Sequence, residues 1–157
     1  RQETAFLDAL SRARSFAVAG GKLTLKAAGG QSFASFRAQT QELAGTSWDV
    51  LAYNNGKQAI VSVLGATKLT AMFGDNGSLT GFAGCNNYDA SYQVSAPKIT
   101  IGPVSSTRKH CETPVGVGEQ ETDYLAALET AATYRVEGSR LELRAADGAV
   151  AVELRRK

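Results

Sequence analysis

The sequence predicts a mainly β fold: a small antiparallel β-barrel with one helix, preceded by an extra unit of one helix and a β-hairpin. Two observations predict it. Short segments that alternate apolar and polar residues follow one another between turn signals, and the start of the chain repeats the pattern of its end. With 157 residues, 43% hydrophobic and 20% charged, the chain has an ordinary globular composition and can bury a core.

The first forty residues align without a gap on the last forty when they are moved forward by 118 positions (121 − 3). Gln2-Glu3-Thr4 then meets Gln120-Glu121-Thr122. The same register holds for Phe6 with Tyr124, Leu10 with Leu128, Phe16 with Tyr134, Val18 with Val136, Leu23 with Leu141, Leu25 with Leu143 and Gly30 with Gly148. Chance rarely preserves apolar and glycine positions over such a stretch, so we expect two related units.

Each copy of the repeat combines helical and strand periodicity. The helical face in the second copy is carried by Tyr124, Leu125, Leu128 and Ala131. Alternating segments follow at residues 134–136, 141–143 and 150–154, separated by turn residues at Gly138-Ser139 and Asp147-Gly148. The repeated unit is therefore predicted to be a helix followed by a β-hairpin or short meander.

The stretch from about residue 45 to 118 has no counterpart in the first forty residues. It reads as short strands at residues 48–53, 59–64, 69–73, 79–82 and 99–101, with turn signals at Asn54-Asn55-Gly56 and Asp75-Asn76-Gly77. We therefore expect a complete domain over residues 41–157, and the C-terminal portion of a first, related repeat over residues 1–40.

The charge and hydropathy of the chain limit the kinds of partner that we expect. The net charge is +2, and Arg155-Arg156-Lys157 is a short basic tail that we interpret as solvated, so no nucleic-acid partner is expected. No apolar run reaches the about 18 residues of a membrane span. The sequence has neither an initiator Met nor a leader, so we expect processing, cloning or proteolysis to have made its start. Membrane attachment is expected only through a removed lipid anchor.

Two cysteines, Cys85 and Cys111, leave three interpretations open. They form a disulfide, they contribute to a metal site, or one is a reactive thiol beside Arg108 and Lys109. His110 is the single histidine, so a metal set is incomplete, and as a neighbour of Cys111 it points to the opposite face of an extended segment. We interpret His110 as a surface residue.

No pattern of a catalytic site is present. Gly116-Val117-Gly118 is too short for a dinucleotide loop, and Asp89, Glu112 and Glu121 form no identifiable acid–base pair. Ser105-Ser106 has no convincing histidine partner. We expect a protein that is not an enzyme and uses neither a metal nor another cofactor.

One run of residues resembles a known family. Gly84-Cys85-Asn86, Tyr88, Tyr92, Thr107 and Cys111, then Gln120-Glu121 and Gly138 with Leu141 and Leu143, occur in the order found in the META domain of HslJ-like heat-shock proteins. The resemblance spans nearly all of residues 45–157, and residues 1–40 match only the last third of the pattern. Ala90 replaces a usual glycine, and Lys109 replaces a usual apolar residue.

The resemblance implies a small antiparallel barrel with a helix, a disulfide between Cys85 and Cys111, and no established catalytic activity. Gly84, Asn86, Tyr88, Tyr92 and Thr107 would form the family motif and a candidate binding loop. Family members are typically bacterial envelope proteins, often lipoproteins, linked to stress or antibiotic tolerance. We therefore expect a secreted, periplasmic or outer-membrane-anchored module that acts by binding or structural support.

Three further expectations concern partners and alternative functions. The partner is an unidentified protein, lipid or small molecule. The N-terminal unit cannot bury its own apolar face, which leaves two compatible explanations. Either the chain is a piece of a longer tandem protein whose first domain is truncated, or the unit docks on the complete domain or exchanges into a partner chain. We expect a tandem-domain parent and a homodimer of this chain. The alternative functions are thiol-redox chemistry at Cys85 and Cys111, and inhibition of an external hydrolase through residues 86–92.

Overall fold

The computed structural model describes residues 2–157, which divide into two compact units, residues 2–40 and residues 41–157. The N-terminal unit contains one helix and a three-stranded antiparallel sheet in the order β1-β2-β3. Its elements are α1 (Gln2–Ser11), β1 (Ser15–Ala19), β2 (Lys22–Lys26) and β3 (Ser32–Arg37). Neither helix among the described residues has the length and hydrophobicity that a bilayer crossing requires.

The C-terminal unit contains ten strands and one helix. They are β4 (Thr46–Asn54), β5 (Ile60–Ser62), β6 (Thr70–Phe73), β7 (Ser78–Phe82), β8 (Asn87–Ser95), β9 (Lys98–Ile101), β10 (Ser105–Ser106), α2 (Val117–Glu129), β11 (Ala131–Glu137), β12 (Arg140–Ala145) and β13 (Val150–Arg156). Every strand pair in the unit is antiparallel.

Eight of these strands close into a barrel. The order is β8-β7-β6-β4-β13-β12-β11-β9, and β9 pairs in turn with β8, so the ring has no open edge. The short strands β5 and β10 pair outside the ring, on β4 and β8. The prediction of a small antiparallel barrel with a helix, preceded by a second helix and strands, is confirmed.

Alternation along the strands fills the barrel interior. In β8 every second residue from Tyr88 to Tyr92 is buried, while Asn87, Asp89 and Ser91 are exposed. The largest fully buried side chains include Trp48, Phe73 and Tyr124, which lie on two strands and on α2. Burial of each such side chain contributes about 1.5–3 kcal/mol to folding, so the barrel and helix α2 stabilise one another.

Gly81 allows β6, β7 and β8 to pack closely. A Cβ atom at this position would lie 2.6 Å from Tyr88 Oη and would overlap the carbonyl oxygen of Thr70. Tyr88 Oη donates a hydrogen bond to that same carbonyl at 2.8 Å. The glycine therefore leaves the space through which a tyrosine hydroxyl reaches the backbone of a neighbouring strand.

Two local predictions differ from the structure. Helix α2 ends at Glu129 because the Thr130 amide and hydroxyl both bond to the carbonyl of Ala127, so Ala131 belongs to β11 rather than to the helix. The N-terminal unit has three strands in a meander, one of the two forms predicted for the repeated unit. The predicted strand at 59–64 is reduced to Ile60–Ser62.

Candidate functional site

The glycine–cysteine–asparagine motif lies in the connection between β7 and β8. Gly84 adopts a φ of 105°, and a Cβ there would lie 2.9 Å from Gln120 Nε2, so a side chain would be strained and crowded. Cys85 is buried and forms a disulfide with Cys111, with the Cα atoms 5.9 Å apart. The disulfide joins the β7–β8 connection to the segment that precedes α2.

Asn86 follows the disulfide and is almost completely buried. Its Nδ2 donates to the Lys109 carbonyl at 3.1 Å and to Glu121 Oε1 at 2.8 Å. Its Oδ1 accepts from the Thr107 hydroxyl and from the Lys109 amide, both at 2.7 Å. The hydrogen-bonding capacity of this side-chain amide is therefore fully used within the protein.

The backbone of Asn86 is also engaged. Its amide donates to Glu121 Oε2 at 2.7 Å, and its carbonyl accepts from the Ala83 amide at 2.8 Å. Both carboxylate oxygens of Glu121 are thus occupied by one residue. We call this set the Asn86 cluster: Cys85, Asn86, Thr107, Lys109, Cys111 and Glu121. It fixes three chain segments to one another, namely the β7–β8 connection, residues 107–111 and helix α2.

Gln120 anchors the same helix to a second loop. Its side chain is buried, its Oε1 accepts from the Leu64 amide at 2.8 Å, and its Nε2 donates to Thr67 Oγ1 at 2.9 Å. The sequence pattern marks Gln120 only as the start of a helix. A polar residue on the apolar face of that helix was the available signal for this buried anchor.

Two tyrosine hydroxyls meet inside the barrel. Tyr88 Oη and Tyr124 Oη are 2.8 Å apart, and the rings pack edge to face with centroids 5.7 Å apart. Burial is the main cause that raises the pKa of both hydroxyls, so both stay protonated throughout the neutral range. These tyrosines connect α2 to the barrel wall and do not supply an ionised group.

Tyr92 of the motif also faces the interior, whereas Thr107 is exposed. Tyr92 is buried against Phe73 with ring centroids 5.0 Å apart, and its hydroxyl donates to the Gly74 carbonyl at 2.8 Å. Residues 87–95 form strand β8, so the segment predicted as a candidate binding loop is largely a strand of the barrel. Of the motif residues, Asn86 and Thr107 are hydrogen-bonded to each other, whereas Tyr88 and Tyr92 make separate contacts along the barrel wall.

The structure distinguishes between the disulfide, metal-site and reactive-thiol interpretations of Cys85 and Cys111. Both cysteines are in the disulfide and neither is a free thiol. His110 is exposed, with Nε2 3.9 Å from a carboxylate oxygen of Glu112. Within residues 2–157 no group of three histidine, cysteine or carboxylate side chains is close enough to hold a metal ion.

An open cleft of about 590 Å³ lies beside helix α2. One wall is the helix surface at Asp123, Ala126 and Thr130, and the others are the turns after β4 and β12. The turns contribute Asn54, Asn55, Gly56, Gln58, Ile60, Ala145, Asp147, Ala149 and Val150. The volume is within the about 300–1,000 Å³ of small-molecule sites, and the cleft combines small apolar side chains with two carboxylates.

A second cleft, of about 720 Å³, lies outside the barrel over β11 and β12. Its charged lining is engaged in local pairs, since Arg144 Nε lies 2.6 Å from Glu142 Oε1 and Arg135 pairs with Glu137. The Tyr134 hydroxyl donates to the Gln41 carbonyl at 2.8 Å. This cleft therefore offers fewer uncommitted polar groups than the cleft beside α2.

The Asn86 cluster predicts a large stability difference between two neighbouring asparagines. Asn86→Ala removes a buried side-chain amide together with its hydrogen bonds to Thr107, Lys109 and Glu121, and we expect the free energy of unfolding to fall by about 2 kcal/mol. The exposed control Asn87→Ala keeps its backbone bond to Thr107 and should change stability by less than about 0.5 kcal/mol. Urea unfolding measures both values. Equal, small effects would show that the cluster does not hold the barrel.

The comparisons with known proteins agree with this geometry. A solved protein from Burkholderia xenovorans is 27% identical, with a TM-score of 0.60 over 73% of this chain and 83% of that one. A DUF4847 family protein from Bacteroides vulgatus shares the fold at 15% identity, with a TM-score of 0.52 over 72% of this chain and 93% of that one. No curated protein matches the chain, and the similarities found assign no catalytic family. The META domain matches residues 41–157, which confirms the resemblance seen in the sequence, and the chain belongs to the META domain family.

Proposed function

We propose that this chain is a non-catalytic module of the bacterial cell envelope, with a role in stress or antibiotic tolerance, that binds a small amphipathic cation in the cleft beside α2. The observation that carries the proposal is the distribution of polar groups. The polar groups of Asn86 and Thr107 are used inside the Asn86 cluster, and the Tyr88 and Tyr92 hydroxyls are bonded within the barrel. Carboxylates that line the cleft remain open to a ligand.

The charge of the cleft favours a cation. Asp123 lies on the α2 wall and Asp147 on the β12–β13 turn, so carboxylates face the space from two sides. One oxygen of Asp147 accepts from the Ala149 amide at 2.9 Å, and the other is available. The nearby Lys57 is 3.4 Å from Glu119, which reduces its competition with a bound cation.

The shape of the cleft favours a cation that also has a sizeable apolar group. Ala126, Ala145 and Ala149 leave room because their side chains are short, and Ile60 and Val150 add apolar surface. Ile60 is 43% exposed, which is a large fraction for an isoleucine in a folded domain. An aromatic or alicyclic cation would cover these groups and pair with the carboxylates.

The disulfide supports an envelope location for the module. Disulfides persist in oxidising compartments such as the periplasm and the cell exterior, and are rare in the reducing cytosol. In the loop-entropy description, a bridge between residues 26 positions apart stabilises the fold by roughly 3.5 kcal/mol. The module would lose this stabilisation in a reducing compartment.

Ligand binding can be tested with two probes of the same shape and opposite charge. We expect tetraphenylphosphonium to shift the backbone NMR resonances of Asn55, Asp123, Ala126 and Asp147, and tetraphenylborate to shift them far less. Ala126→Trp fills the cleft and should abolish the shifts. Ala146→Trp changes another exposed alanine, one that is not among the residues lining the cleft, and it should leave binding intact.

Three outcomes would contradict the ligand proposal. In one, neither probe shifts the cleft resonances at millimolar concentration. In another, both probes act equally on residues far from α2, which would indicate non-specific adsorption to apolar surface. A response that Ala146→Trp removes as completely as Ala126→Trp would also exclude the cleft.

The location is tested separately by thiol alkylation in intact source cells. In an oxidising compartment we expect Cys85 and Cys111 to resist a membrane-permeable maleimide until a reductant is added, because the bridge leaves no thiol. Denaturation before alkylation controls for simple burial of Cys85. Two reactive thiols in protein denatured without reductant would contradict the envelope location and would revive a reduced, redox-active state.

A further inference from the structure

The N-terminal unit reproduces one half of the META barrel element by element. At the offset of 118 residues, α1 falls within the span of α2, β1 on β11, β2 on β12 and β3 on β13. The pairing register is the same, since Phe16 faces Leu25 in one unit and Tyr134 faces Leu143 in the other. Both units interrupt their second ladder at the equivalent place, after Leu25 and after Leu143.

The apolar side chains match as well, but their burial does not. Phe16 is 71% exposed, whereas its equivalent Tyr134 is 5% exposed. Val18 is 67% exposed, whereas Val136 is 2% exposed. Phe6 and Phe36 are also exposed, although their equivalents, Tyr124 and Leu154, are completely buried. The N-terminal unit therefore has the apolar face that lines the interior of a barrel, but the other strands that would cover this face are absent from the described residues.

The two edges of the N-terminal sheet indicate where the remaining strands of a complete barrel would pair. In the complete barrel, β13 pairs with β4 and β11 pairs with β9. The equivalent strands β3 and β1 are the two outer strands of the three-stranded sheet. The unit thus presents two unpaired edges and an apolar face, at the places where the strands β4 to β9 would join.

We propose that the N-terminal unit is the C-terminal half of a second META barrel, completed by strands that precede this sequence in the same polypeptide. The occupant is a strand set equivalent to β4 through β9, which pairs with both edges and covers Phe6, Phe16, Val18 and Phe36. The protein is then a tandem of two META barrels joined near residue 40.

Other occupants fit less well. The barrel of residues 41–157 is closed, and its own strands β11–β13 already fill the place that the N-terminal unit would take. A second copy could accept the unit only by opening its barrel, which breaks the β4–β13 and β9–β11 pairings. Strands that precede residue 1 can pair with the unit without breaking these pairings. Because they belong to the same polypeptide, their effective concentration at the unit is high.

The repeat offset sets the length of the upstream segment. The equivalent of Thr46, where β4 begins, lies 73 residues ahead of residue 1, because 1 − (46 − 118) = 73. Intact mass and N-terminal sequencing of the natural polypeptide should therefore show at least this many additional residues. A natural polypeptide that begins within a few residues of position 1 overturns the proposal.

Amide exchange then tests whether the upstream residues complete the barrel. We expect the amides of β1 and β3 to exchange at least about a hundredfold more slowly in the natural polypeptide than in the 157-residue chain. Phe16→Asp in the natural polypeptide should remove this protection. Met72→Asp is the control, since Met72 is 50% exposed on the barrel of the C-terminal unit and should leave β1 and β3 protected.

Equal exchange of β1 and β3 in the two polypeptides would overturn the proposal. So would protection of those amides in the 157-residue chain that rises with protein concentration, because that result identifies a second copy as the occupant. A Phe16→Asp variant as protected as Met72→Asp would show that the apolar face stays uncovered.

Discussion

The folded barrel depends on one buried amide, the side chain of Asn86. An amide removed from water must find a partner for each of its donors and acceptors, and here the partners come from residues 107–109 and from Glu121 of α2. The Cys85–Cys111 disulfide holds two of the same segments together by a covalent bond. These interactions hold helix α2, and the residues just before it, against strands that precede them in the sequence.

This constraint separates the family motif from the cleft that we propose binds a ligand. The family motif is used to attach α2, together with the Gln120 anchor and the contact between the Tyr88 and Tyr124 hydroxyls. Once the helix is fixed, its opposite surface at Asp123 and Ala126 forms a wall of the open cleft. The motif therefore positions one wall of the cleft in which we propose that a ligand binds.

The sequence predicted the strands well because alternation and turn residues are local signals, and it predicted the repeat because Phe16, Leu23 and Leu25 keep one register with their equivalents. The cysteine pairing came from family resemblance alone. The role of Asn86 was missed because its partner Glu121 is 35 residues away, so a local pattern indicated only a turn or a binding loop. The cleft was missed because its walls come from three separate segments.

Amide exchange at the Asn86 cluster, with the disulfide intact and then reduced under native conditions, tests the central claim most directly. The account predicts that the amides of Asn86, Thr107 and Lys109 are protected in the oxidised protein and exchange at least about tenfold faster after reduction. The amides shared by β4 and β13 should keep their protection. Exchange of those three amides at unstructured-peptide rates in the oxidised protein would contradict the account.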